Sequence, residues 1–126
     1  MIFDTDVLIW CFRGNSKAAE AIRAATSRAI SAVTLMELHQ GARNKQEQKQ
    51  IGKFLRELSF SVLPLSENIS HRACIYVEEY SLSDSLEMAD ALIAATAVEY
   101  RHTVLTGNGK HYRMITEIDL EVFRKD

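Results

Sequence analysis

The sequence is poor in residues that break or cross-link a chain, with one proline, five glycines and two cysteines among 126 residues. So little proline and glycine excludes a collagen-like, linker-like or low-complexity chain. Two cysteines, Cys11 and Cys74, make no disulfide framework and lack metal-motif spacing, so both read as core thiols in a reducing compartment. Neither charge sign dominates: 15 basic against 17 acidic residues leave a net charge of -2, with a pI of about 6.1. The chain as a whole is therefore no lure for nucleic acid or anionic membrane, and a polyanion must be met by a local patch. No apolar run approaches the roughly 18 residues of a membrane span, and Asp4 and Asp6 interrupt the stretch that a secretory signal keeps apolar. The expectation is a cytoplasmic protein with no membrane role. The four histidines have no zinc-like spacing, no Gly-rich phosphate loop precedes a helix, and no Ser or Cys stands in a nucleophile motif.

What is present is apolar content, 47%, in a chain long enough for one domain, residues 1-126, and too short for two of ordinary size. Short branched runs read as strands: Met1 to Asp4, Arg28 to Ser31, Phe60 to Leu63, Thr103 to Thr106 and Leu120 to Phe123. Helices are expected near Asp6 and over about Ser16 to Ala25, Val33 to Ala42, Lys45 to Leu58, Glu67 to Tyr80 and Leu86 to Tyr100. Lys45, Lys49 and Lys53 recur at helical spacing and read as a solvated face. Strands alternating with helices predict an α/β fold with a mostly parallel sheet, whose ligands lie outside the strands' carboxyl ends.

Acids are placed where that crevice would be. Asp4 ends the first strand in MIFDTDVLIW, and Asp6 is a good cap type for a helix beginning at Val7. Asp90 sits in MADALIAATA with Ile93, Ala94 and Ala97 on its own face. An ionised carboxylate on an apolar stripe costs several kcal/mol unless paired or metal-bound. A helix starting near Ser83 or Ser85 would put Asp90 beyond the turn where the helix dipole helps it. Glu87, one turn earlier, reads as a solvated residue. Glu37 lies off the stripe of Leu35, Leu38 and Ala42 and by periodicity alone is helix surface. Thr106 and the Gly107-Asn108-Gly109 turn close the fourth strand. Three carboxylates from separate segments suit a hard cation such as Mg2+ or Mn2+.

DTDVLIW, SAVTLMELHQGAR, MADALIAATA and LTGNGKHYRMI, in this order, resemble the PIN-domain proteins of the VapC-type toxin family over nearly the whole chain. The resemblance implies a three-layer PIN-like fold, with a central sheet of four to five strands flanked by helices. It also implies a metal-dependent endoribonuclease, a homodimer and a small inhibitory antitoxin. Carried over by position, Asp4, Glu37 and Asp90 match the family's metal-binding acids and Asp6 the polar residue that often follows the first. Asn108 stands where many members have Asp, giving a neutral oxygen and one charge fewer for a second metal. A Mg2+ or Mn2+ ion held by Asp4 and Asp90, with Glu37 close or acting through water, would activate water for attack on an RNA phosphodiester. Thr106, Asn108, Lys110 and His111 are candidates to position the phosphate.

Two alternatives stand beside this. IFDTD resembles the strand-end DxD of haloacid dehalogenase-type phosphatases, with Asp4 as nucleophile. Val7 and Leu8 stand where that family has threonine, however, and the chain is short for such a core and its cap. The other is a PIN-like binding module that acts through protein or RNA contacts without catalysis.

Overall fold

In the computed structural model, which describes residues 1–126, five short strands form one sheet and six helices cover its faces. The strands are β1 (Ile2–Phe3), β2 (Ala29–Ser31), β3 (Ser61–Leu63), β4 (Thr103–Thr106) and β5 (Asp119–Val122). All neighbours pair in parallel, in the order β3-β2-β1-β4-β5. The helices are α1 (Thr5–Phe12), α2 (Ser16–Ala24), α3 (Ala32–Gln40), α4 (Lys45–Glu57), α5 (Glu67–Asp84) and α6 (Met88–Tyr100). This is the α/β architecture expected from the alternation of runs, and no strand end differs from expectation by more than one residue.

Because successive strand residues point to opposite faces, two-residue β1 serves both layers. Ile2 and Val104 join a core with α5 and α6, through Ile69, Ala73, Tyr76, Ile93 and Ala97. Phe3, Ile30 and Leu105 join the opposite core with α1, α2 and α4, through Val7, Leu8, Ile22, Ile51 and Leu55. Ile2, Phe3, Leu8 and Ile30 are fully buried, each stabilising the fold by about 1.5–3 kcal/mol. The apolar stripe of α4 thus belongs to the core, while Lys45, Lys49 and Lys53 face solvent. Cys11 is half-buried but Cys74 is exposed on α5, which corrects its reading as a core thiol.

Two helix boundaries differ in ways that matter for the acids. The helix after β1 begins at Thr5, so the cap is Asp4, its Oδ1 accepting from Thr5 N at 2.7 Å, and Asp6 lies inside the first turn. Farther on, α5 runs through Ser83 and ends at Ser85, which adopts a left-handed φ of 58°. The next helix starts only at Met88, with Glu87 as its cap residue, so Asp90 falls in the first turn. The serines that read as a helix start serve instead the end of the preceding one. No helix is long and apolar enough to cross a membrane.

Candidate active site at the carboxyl ends of the sheet

The strand order reverses at β1, whose neighbours β2 and β4 are both reached by crossovers. A crevice opens beyond such a point because the connections leave the strand ends in opposite directions. Asp4 follows β1 directly and is only 7% exposed. Its Oδ2 accepts from the Thr106 hydroxyl at 2.7 Å, joining the ends of β1 and β4. The same Thr106 oxygen accepts from the Asn108 backbone N–H at 3.0 Å, which sets the turn after β4. Asp4 is therefore both cap and strand-end acid. Each of its oxygens takes one protein hydrogen bond and keeps a free lone pair.

Glu37, on the exposed side of α3, is tied to the same place by Thr5. The Thr5 hydroxyl oxygen lies 2.7 Å from Glu37 Oε1, which can only accept, and 2.9 Å from the buried Thr34 hydroxyl. Ser31 caps α3 through the Val33 N–H, fixing how the helix leaves β2. Thr5 and Thr34 are thus site residues that sequence reasoning passed over. Thr5, lying between the two acids of DTD, carried the only available signal.

Asp6 turns away from α1 to accept the Gly107 N–H at 3.0 Å. A Cβ on Gly107 would stand 2.7 Å from Asp6 Oδ2, so this contact needs glycine. The other Asp6 oxygen is buried without a partner. Burial, reinforced by the charge of Asp4, raises the Asp6 carboxyl to about 6 against the pull of the Gly107 N–H. Sequence reading gave Asp6 the capping job and left Asp4 free. In the structure Asp4 caps, because the helix starts one residue earlier, and Asp6 pins the β4 turn.

Asp90 enters from α6, and burial followed by the charge of Asp4 raises it to about 6 as well. Its position in the first turn removes the argument that the helix dipole fails to reach it, yet burial and Asp4 outweigh that dipole. His111 Nδ1 lies 3.5 Å from Asp90 Oδ2. The Tyr112 hydroxyl lies 3.5 Å from Oδ1, and burial and the nearby carboxylates hold that phenol well above its ordinary range. Tyr112 lies within the LTGNGKHYRMI stretch, but nothing in its spacing marked it as a site residue.

The geometry therefore brings Asp4, Asp6 and Asp90 to one crevice, with Glu37 at its edge through Thr5. No lysine or arginine forms an ion pair with any of the four. The exposed Asn108 places its backbone, not its side chain, in the hydrogen-bond network. No three His, Cys, Asp or Glu side chains form a group already close enough to hold a metal ion. The chemistry of the donor set fits a hard cation nonetheless: oxygen ligands, uncompensated charge and an orphaned carboxylate oxygen.

The family model described as the PIN domain matches residues 1–116. The structure is similar to a chain of a toxin-antitoxin complex from Klebsiella pneumoniae, with 33% identity over 93% of each chain and a TM-score of 0.76. It shares its fold with a chain of VapBC2 from Rickettsia felis bound to a promoter DNA fragment, with 21% identity, 98% and 100% of the two chains covered and a TM-score of 0.78. It also shares it with DNA-bound VapBC from Salmonella typhimurium, with 23% identity, 96% of each chain covered and a TM-score of 0.77. Comparison with curated proteins gives no match.

Proposed function

We propose, since this chain belongs to the PIN-domain family, that it is a metal-dependent endoribonuclease and the toxin of a toxin–antitoxin pair. The observation that carries this reading is the convergence of Asp4, Asp6 and Asp90, with Glu37 beside them, at the switch point of the sheet without a paired lysine or arginine. Uncompensated carboxylates would repel an RNA phosphate, so the acids make chemical sense once a divalent ion joins them.

Asp4, Asp90 and Glu37 would hold Mg2+ or Mn2+. When bound, the ion supplies activation of water and compensation of charge on the phosphate. The chain's own residues prepare that place. Thr106 fixes the Asp4 carboxylate, Thr5 holds Glu37 from the neighbouring helix, and Asp6 holds the turn that carries Asn108. No three of these acids stand close enough together to form a ready-made cage. The Asn108 carboxamide and the Lys110 and His111 side chains border this turn and would hydrogen-bond the phosphate of the RNA. The phosphatase reading rests on five residues, against a family match over residues 1–116.

The antitoxin is assigned to a groove of about 880 Å³ between α1, α3 and α4, where Phe12, Leu38, Ile51 and Phe54 give an apolar floor. Glu37 lines its inner end, and Arg13 and Arg43 also border it. A segment lying there would cover the approach to the acids, and a homodimer is proposed on the same family grounds.

The test is incubation of the purified chain with structured RNAs, with and without Mg2+ or Mn2+, beside Asp4→Asn and Asp90→Asn. Cleavage that needs the ion and vanishes in both variants supports the reading. Absent cleavage leaves the non-catalytic binding module in its place, and cleavage that survives both substitutions removes these acids as the catalytic site.

A further inference from the structure

The only tryptophan of the chain, Trp10, packs one part of its ring on the α1 core and turns another toward two cations. Lys125 Nζ lies 4.0 Å from the ring centroid and the Arg13 guanidinium carbon 5.5 Å. Neither cation, nor Arg124 beside them, is ion-paired with a carboxylate. The end of the chain is held there by hydrogen bonds from Asn15 to the Lys125 carbonyl and from Lys17 to that of Asp126. Between this cluster and the acids is a cavity of about 590 Å³. Asp6, Gly107 and Asn108 line it toward the acid site, and Trp10, Arg124 and Lys125 line the other side, together with Asp126. Asp6 and Trp10 are four residues apart on one helix, so they share a face with a rise of about 6 Å between them.

We propose that this cavity is a subsite for the RNA strand, in which the base of a nucleotide beside the scissile phosphate stacks on Trp10 and Lys125 meets a backbone phosphate. The inference rests on the endoribonuclease reading and adds to it a residue that grips the substrate. In a chain of net charge -2, cations without carboxylate partners next to an aromatic face are what a single strand needs: a π-surface for any base and positive charge for its backbone. Stacking of a base on indole outweighs an exposed cation–π contact, so the base displaces the Lys125 ammonium. The displaced ammonium, still on its flexible stem, is left beside the strand.

A single tryptophan makes the test direct. Asp4→Asn, which leaves RNA uncut, is titrated with a short single-stranded RNA while Trp10 fluorescence and the anisotropy of a labelled copy are followed. Binding should quench Trp10. In the same background Trp10→Ala should weaken affinity about tenfold, while Trp10→Phe, which keeps a stacking face, recovers most of it. Lys125→Gln should make the salt dependence shallower by about 0.7 in log–log slope. RNA that binds with Trp10 unquenched, or Trp10→Phe as weak as Trp10→Ala, overturns the subsite while leaving the nuclease reading standing. No binding by anisotropy together with no cleavage by the wild type overturns both.

Discussion

Two clusters of carboxylates in this molecule have been given opposite surroundings. Between α5, α6 and the turn before β5, Arg72 donates to Glu99 and Glu117 at 2.9 Å each, and the Tyr76 hydroxyl donates to the same Glu117 oxygen. Those acids carry their own counter-charge, and hydrogen bonds from Tyr76 and Arg72 hold Glu117 below its ordinary value despite some burial. At the crevice, Asp4, Asp6 and Asp90 are more deeply enclosed and have no Lys or Arg at all, so Asp6 and Asp90 are pushed up to about 6. A self-neutralised cluster is complete as structure. An uncompensated one destabilises the empty fold, and that cost makes sense if a cation completes it.

The strongest way to break the comparison is Asp4→Asn. It should lower RNA cleavage by about 10³-fold or more with circular dichroism unchanged, because asparagine keeps the cap and loses the charge. Next in size is the response to metal. Mn2+ at about 100 times its dissociation constant should stabilise the wild type by about 2.7 kcal/mol in thermal melts. That gain should disappear in Asp90→Asn and survive in Arg72→Ala; a gain that persists in Asp90→Asn would remove the crevice as the metal site. Asp6→Asn keeps an oxygen for the Gly107 N–H, and should reduce cleavage no more than about tenfold by the same assay. Arg72→Ala should cost about 1 kcal/mol in urea unfolding, its partly exposed pairs being weakened by solvent, and leave cleavage intact.

The effect sharpest in sign is pH. Asp6 and Asp90 have folded values raised to about 6 from 3.8. Their contribution to stability is therefore fully present below the ordinary value and is lost as pH rises toward 6. Glu117 is lowered from its ordinary 4.5, so its contribution is present above that value and lost as pH falls through the folded one. In metal-free melts, the difference between wild type and Asp90→Asn should grow less favourable to wild type from pH 4 to 6.5. The difference from Glu117→Gln should move the other way.

Much of this was legible before any coordinates. The strand runs were apolar and bounded, which is why β4 over Thr103–Thr106 matches its expected range. Asp4 and Asp90 stood out because charge on an apolar pattern has a cost that periodicity exposes. Glu37 did not stand out, since its tie to the site is a hydroxyl on another helix, a tertiary contact with no periodic trace; only the family resemblance raised it. The capping assignment to Asp6 and the early start of α6 failed for one reason. Asp, Ser and Glu are all acceptable near helix ends, and packing selects among them within one or two positions. Tyr112 and Thr34, both fully buried, became visible only when the chain was closed around them.

The hydrogen bond from Thr106 to Asp4 joins residues 102 positions apart. On a ribosome the first acid is made 102 residues before the threonine that orients it. At about 5–20 residues per second, several seconds of synthesis separate the two. Whatever chemistry the crevice performs is thus withheld from the growing chain by its own topology. The timing needs no inhibitor, because a half-made chain has no site to inhibit.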